Sequence, residues 1–356
     1  MVLNYIGSKK ILLNYIRFVI DKNIKIKDDF IFGDLFAGTG VVGNNINEKY
    51  EINIISNDVE YYSYVINYAN LKCKYTETLD KIIKIINDLP CIEDGLIYKK
   101  YSPSDKNKYN RMFFTCDNAK KIDTARTYIE EKKDELSKEE YMFLLASIIE
   151  CTDKVANVAC VYGAYLKQFK KAALKDFKLI PIHIKTQIIG ENKVYNTDII
   201  NLLEKEYDIV YLDPPYNSRQ YGGNYSQLNY LAKYDKNIKI KGKTGLVENY
   251  FKSKFSQKGN VYDEFSKLIQ NLKTKYILVS YNNEGILSYD DLQKILSSKG
   301  KLKTYILKYK KFQSRKRNEN EKKEVNEYLH FVDCSQQGEI ENIIVEKEEI
   351  KNAPPT

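Results

Sequence analysis

The chain has 356 residues, enough for one large domain with an insertion or two domains of ordinary size, and its 57 Lys and Arg against 48 Asp and Glu give a net charge of +9. No apolar run approaches the roughly 20 residues that span a bilayer, the start MVLNYIGSKK lacks a signal-peptide core, and six cysteines without a CxxC pair beside two histidines spell neither a disulfide framework nor a metal site. A soluble, cytoplasmic protein with free thiols that tolerates polyanions is expected; its richness in Lys, Ile, Asn and Tyr reflects coding composition and carries no mechanism.

In chain order, the first segment is Asn4-Tyr5-Ile6-Gly7-Ser8-Lys9-Lys10, where Ser8 is placed to cap a helix over 9–16 and Lys9 supplies a cation. Residues 30–35 form a short apolar run holding Asp34, followed by the loop Phe36-Ala37-Gly38-Thr39-Gly40 and a helix from Val41. The β-branched run 52–57 ends in Asp58, and a helix over 61–71 follows. The same grammar resumes at 194–198, which ends in Asp198, then at 207–212, then at 276–280. Alternating strands and helices predict an α/β fold, a doubly wound and mostly parallel sheet with its ligand site at the carboxyl ends of the strands.

Between these blocks, residues 76–189 break the alternation, with helical patterns over 82–86, 139–150 and, as a long amphipathic stretch, 154–174. This predicts a helical insertion, which carries the cations Arg111, Lys120, Arg126 and Lys167. Strand patterns at 303–308 and 327–332 flank KYKKFQSRKRNENEKK, a β-hairpin with a basic tip carrying Arg315, Lys316 and Arg317. From Gln336 the tail turns acidic and is expected to be poorly ordered.

Gly38-x-Gly40-x-x-Gly43 with Asp58 20 residues beyond Gly38 satisfies a dinucleotide fingerprint, so the glycines alone allow NAD. They equally suit S-adenosyl-L-methionine, whose ribose needs the same acid but which has no pyrophosphate, and the aromatic Phe36 in Asp34-x-Phe36-x-Gly38-x-Gly40 favours the methyl donor. The run 209–212 ends in Asp213-Pro214-Pro215-Tyr216. Two prolines fix two φ angles and donate no hydrogen bond, so the strand stops in a rigid loop with free carbonyls. An acid, rigid carbonyls and an aromatic face suit a flat ring that bears an amine. A plain turn is the alternative for the tetrapeptide taken alone.

With these motifs in order, the chain resembles the Dam-like and FokI-methylase-like DNA adenine-N6 methyltransferases over most of 1–332. NYIGSKK, DLFAGTG, Asp58, YLDPPYNSRQYGGNY, KGKTG (241–245) and LVSYNNEG (278–285) carry the resemblance; Ser226 departs from the usual NYH continuation. It implies a Rossmann-like methyltransferase fold of three αβα layers, with a catalytic domain from 1–75 and 190–335, a DNA-recognising insertion at 76–189, a C-terminal β-hairpin and a tail at 336–356. It also implies S-adenosyl-L-methionine as cofactor, contacted by Tyr5, Lys9, Asp58 and Asp213 over a loop of Asp34, Phe36, Gly38 and Gly40, with Asp198 on the adenine amine. Asp213, Pro214, Pro215 and Tyr216 would act on the target base. Asn217, Arg219, Gln220, Tyr221, Asn224, Tyr225, Lys241, Lys243, Arg315, Lys316 and Arg317 would hold double-stranded DNA, and Arg111, Lys120, Arg126 and Lys167 of the insertion are candidates to read bases. The resemblance further implies a monomer and a cognate restriction endonuclease as possible partner. An RNA adenine methyltransferase, an NAD-dependent oxidoreductase and a DNA-binding protein with a vestigial site are the rival readings.

Overall fold

Alternate residues of each central strand are buried on opposite faces, and that period of two sets the layers. The computed structural model describes residues 3, 7–184, 187–310, 324–346 and 350. After a 3₁₀ turn (Lys9–Leu12), which Ser8 precedes without a side-chain cap, come α1 (Leu13–Asn23), β1 (Ile31–Asp34), α2 (Val41–Tyr50), β2 (Asn53–Asn57) and α3 (Tyr61–Lys72). Helices α4 (Glu77–Asp88), α5 (Leu96–Tyr101), α6 (Cys116–Glu131) and α7 (Lys138–Lys154) follow, then β3 (Lys193–Tyr195) and β4 (Glu206–Leu212). The remainder is α8 (Tyr221–Asn224), α9 (Ser226–Lys233), the small pair β5 (Ile240–Lys241) and β6 (Leu246–Val247), α10 (Val261–Asn271), β7 (Lys273–Asn282), α11 (Tyr289–Ser297), β8 (Lys301–Lys310), β9 (Glu324–Asp333) and β10 (Glu341–Val345).

The main sheet has the order β10-β8-β9-β7-β4-β1-β2-β3, parallel except where β9 pairs antiparallel with β7 and β8. From β1 the chain moves outward through β2 and β3, then returns to β4 on the other side of β1. The carboxyl ends of β1 and β4 therefore diverge, which opens a crevice at the switch point. On β4, Ile209 and Tyr211 join α1 and α2 in one core, whereas Val210 and Leu212 face α10 and α11 in another. The doubly wound sheet and the antiparallel hairpin after β7 agree with the sequence reading.

Two segments differ from it. The stretch 154–174 is not a long helix: α7 ends at Lys154 and irregular turns follow. The fully buried Asn157 directs them, donating to the carbonyls of Met112 (2.9 Å) and Leu166 (3.0 Å) and accepting from the Lys170 amide (3.0 Å). Such side-chain bonds give the backbone an alternative to a helical ladder. The acidic tail is ordered over 341–345, where β10 pairs parallel with β8 and Val345, 3% exposed, enters the core. Its apolar alternation outweighs the acidic composition. Helices α4 to α7 do not pack apart from the rest: they share one core with α3 and α9, centred on α7, whose residues are buried from Tyr141 to Asp153.

Candidate active site

The crevice holds a cavity of about 240 Å³ lined by the glycine loop, the end of β2, Asp213 and Tyr221. Every glycine amide of the loop is spent locally. Asp58 accepts from Gly38 (2.7 Å) and from the Glu60 amide (2.8 Å), Ala37 accepts from Gly40 (2.7 Å), and Asp34 accepts from Gly43 (2.9 Å). Gly40 has φ +73°, and a Cβ there would overlap the Asn67 side-chain amide. Asn67, buried within α3, donates to the Gly38 carbonyl (2.9 Å) and accepts from Ser56 Oγ (2.9 Å), so it fixes the loop from beneath. The sequence reading missed it.

Burial pushes three acids of this wall up, Asp34 to about 7, Asp58 to about 6 and Glu60 to about 7. Amide donors oppose the shift at Asp34 and Asp58, and Asn229 of α9 opposes it at Glu60. Glu60, unremarked in the sequence, thus joins the cavity to α9.

Strand β4 delivers Asp213 to the cavity. The ammonium of the buried Lys9 lies 2.8 Å from Asp213 Oδ1, and also donates to the Gly7 carbonyl (3.3 Å). Lys9, read from the sequence as a contact of the cofactor, is paired here with Asp213, because a buried cation takes the nearest buried anion. Burial pushes the Asp213 carboxyl up and Lys9 opposes it; Lys9 is itself held above its usual range, its desolvation outweighed chiefly by Asp213. Pro214 is buried, and Pro215 lines the cavity. The half-buried Tyr216 ring meets Tyr281 edge-on at 5.8 Å and 65°, and the Ile286 amide donates to its carbonyl (2.8 Å), tying the loop to the end of β7.

Opposite, Phe36 packs edge-on against Phe255 at 5.2 Å. Exposed Asp198 lines the rim, where its carboxylate caps a 3₁₀ turn through the Ile200 amide (3.2 Å). The wall 251–255 has no motif and was not foreseen. It is tied to the DPPY side by Gln220, which donates to the Ser253 carbonyl (3.1 Å) and accepts from its amide (2.7 Å).

The residues read as DNA contacts divide. Half-buried Asn217 and exposed Arg219 form a turn in which Asn217 Oδ1 accepts the Arg219 amide (3.0 Å), and Lys241, ending β5, and Lys243, beyond it, are exposed. Tyr221 lines the cavity and stacks on Tyr225 (6.2 Å, 24°). Tyr225 is 1% exposed and belongs to the helical core, so its assignment to DNA is corrected. Gln220 has its amide engaged as described, and half-buried Asn224 accepts the Tyr162 amide on its carbonyl (2.9 Å). Ser226 is buried and bonded to Gln227 (3.0 Å). Of the proposed base readers, Arg111 (4% exposed) and Arg126 (1%) are buried and are corrected too; Lys120 pairs with Glu93, and Lys167 is exposed. Tyr5, Arg315, Lys316 and Arg317 lie outside the described residues.

A doubly wound sheet with a glycine loop after its first strand, an acid after its second and DPPY after its fourth defines a Rossmann-like methyltransferase. The family model of the D12 class N6 adenine-specific DNA methyltransferases matches residues 5–295, and the chain belongs to that family. It is 41% identical over 339 residues to the Type II methyltransferase M.NlaIII of Neisseria lactamica, covering 93% of this chain and 99% of that one. Identity to M.CviAII of Paramecium bursaria Chlorella virus 1 is 41% over 93% and 98% of the two chains. It is 37% to M.FokI of Planomicrobium okeanokoites over 93% of this chain and 52% of that protein.

Proposed function

We propose that this enzyme methylates adenine N6 at a specific site in double-stranded DNA, with S-adenosyl-L-methionine held in the crevice cavity. The observation that carries the cofactor is the state of the glycine loop. Its three glycine amides are spent on Asp58, Ala37 and Asp34, so they are not free to cradle a pyrophosphate as a dinucleotide requires. Lone pairs remaining on Asp58 suit ribose hydroxyls, Asp198 sits on the rim for an amine, and the Phe36 and Phe255 rings suit an adenine face.

When bound, S-adenosyl-L-methionine supplies an electrophilic methyl group. The protein's task is to make a poor nucleophile available, because the lone pair of an exocyclic amine is delocalised into its ring. The Asp213 carboxylate and the Pro214 carbonyl accept the two N–H bonds, which draws the nitrogen toward tetrahedral geometry and stabilises the charge that develops on it. Lys9 occupies Oδ1 and leaves Oδ2 to accept; its charge opposes the burial that would protonate Asp213. Tyr216, braced by Tyr281, stacks on the base. The base must first leave the duplex, at a cost of a few kcal/mol, and the turn at Asn217 and Arg219 lies beside the vacated position.

The Type II names of the relatives support a protective role beside a restriction endonuclease, and a monomer belongs to the same reading. Residues 76–189 serve target recognition in this reading. Expression in a bacterium without DNA methylation, followed by modified-base sequencing, is expected to report N6-methyladenine at one short motif. Asp213→Ala should retain the donor and lose activity by about 10²–10³-fold or more. Wild-type rates in that variant, or methyl groups on cytosine, would sink the mechanism.

A further inference from the structure

Residues 217–256 leave the DPPY loop through α8 and α9, turn through β5 and β6, and return to line the cavity, with Gln220 and Ser253 stapling the base of this excursion. Two buried arginines of the insertion hold it from outside. Arg126 donates to the carbonyls of Leu231 (3.1 Å) and Ala232 (3.1 Å) at the end of α9 and pairs with Glu130 (2.9 Å). Arg111 donates to the carbonyls of Lys243 (2.9 Å), Gly242 (2.9 Å) and Lys100 (2.9 Å).

The two differ in their counter-charge. Around Arg111 stand the phenols of Tyr101, Tyr109 and Tyr165, and among the described residues no carboxylate pairs with it. Carbonyls satisfy its donors without neutralising it, and burying a guanidinium in this way is costly unless an anion arrives. The turn it grips is shaped for no other backbone: Gly245 has φ +66°, a Cβ there would come within 3.0 Å of Arg111 Nε, and its carbonyl accepts Tyr101 Oη (2.9 Å). From the end of α9 into the turn, five exposed lysines, 233, 236, 239, 241 and 243, fall within eleven residues that also hold the exposed Asp235. A rigid basic turn backed by an unneutralised buried cation complements a polyanion.

We propose that the β5–β6 turn contacts duplex DNA phosphates through Lys241 and Lys243, and that Arg111 is the positioning residue that presents it. This rests on the DNA-methylase reading and changes the insertion's part in it, from arginines that read bases to arginines that buttress the chain between base and duplex. Because the excursion is stapled at the cavity wall, phosphate contact at its tip fixes the wall's far end.

The experiment measures binding of cognate duplex DNA against salt concentration for the wild type, K241Q/K243Q and R111K. Loss of two phosphate contacts lowers the slope of log K against log salt by about 0.9 each, and R111K, which keeps the charge but cannot fork to three carbonyls, is expected to show the same lowered slope. KM for DNA should rise about tenfold in R111K, more than kcat falls, with donor binding retained as the control for folding. Should R111K not fold, Tyr101→Phe removes one donor to the same turn and is expected to shift the slope in the same direction. A wild-type slope in K241Q/K243Q overturns the phosphate contact; a lowered slope there with wild-type slopes in R111K and Tyr101→Phe overturns the positioning role. A wild type that binds no duplex DNA overturns the underlying reading, and this inference with it.

Discussion

Asp34 shows how a residue can serve the site and oppose the fold. Its carboxyl anchors the Gly43 amide at the start of α2, and burial pushes it up to about 7. The unfolded chain releases this proton near pH 4, whereas the folded state keeps it until about pH 7, so the folded state binds more protons across that window. Stability contributed by the group is therefore present at low pH and falls as pH rises from about 4 to about 7. Asp58 and Glu60, raised to about 6 and about 7, act with the same sign. Asp34→Asn keeps an acceptor for the Gly43 amide and removes the charge. Its Tm is expected to exceed that of the wild type at about pH 8 and to vary less between there and about pH 5. Superimposable Tm profiles would show that Asp34 is not the source. At this scale the acids at strand ends were legible, because an acid closing an apolar run has few structural uses. The roles of Arg111, Arg126 and Tyr225 were not, because nothing local distinguishes a cation that binds phosphate from one that grips carbonyls across more than a hundred residues.

Among elements, the glycine loop was legible and its support was not. Spacing of the glycines follows from backbone demands, which any sequence must meet in the same way. Asn67, by contrast, is one polar residue in a helix, and only the packing of α3 under the loop turns it into an anchor. Gly40→Ala tests that anchor. A left-handed φ costs a non-glycine residue about 1–3 kcal/mol, and the new Cβ must also displace the Asn67 amide, which holds the Gly38 carbonyl. The variant is expected to lose Tm and to bind the donor weakly by calorimetric titration. Gly259→Ala is the control, having nothing within 4 Å of its Cβ, and should behave as wild type. Equal donor affinity in both variants would show that the loop does not depend on Asn67. The stretch 154–174 was misread for a related reason: its helical periodicity is real, but the buried Asn157 captures the backbone first.

For the whole molecule, the alternation of strands and helices made the sheet legible, and the break at 76–189 made the insertion legible as a departure from it. What periodicity could not show is that the insertion completes the core of the fold it interrupts. Tyr62, Val65 and Ile66 of α3 and Leu228, Tyr230 and Leu231 of α9 are buried in one cluster with α7. Each buried Val, Ile or Leu among them contributes about 1.5–3 kcal/mol, so exposing the cluster removes a large share of the roughly 5–15 kcal/mol by which a domain is stable. Arg126 adds a dependence of another kind, since it satisfies the last carbonyls of α9 from α6. Replacing 76–189 with a short linker should therefore not yield a catalytic domain with a free recognition surface. The truncated chain is expected to lose near-UV circular dichroism and cooperative unfolding, with α3 released from beneath the glycine loop and α9 from the DPPY excursion. Recovery of a monomeric product that melts cooperatively and binds S-adenosyl-L-methionine with wild-type affinity would separate the insertion from the core. The shared packing predicts instead that residues 76–189 and the donor site are parts of one folding unit, so that substitutions in the α3–α7 contact weaken donor and DNA binding together.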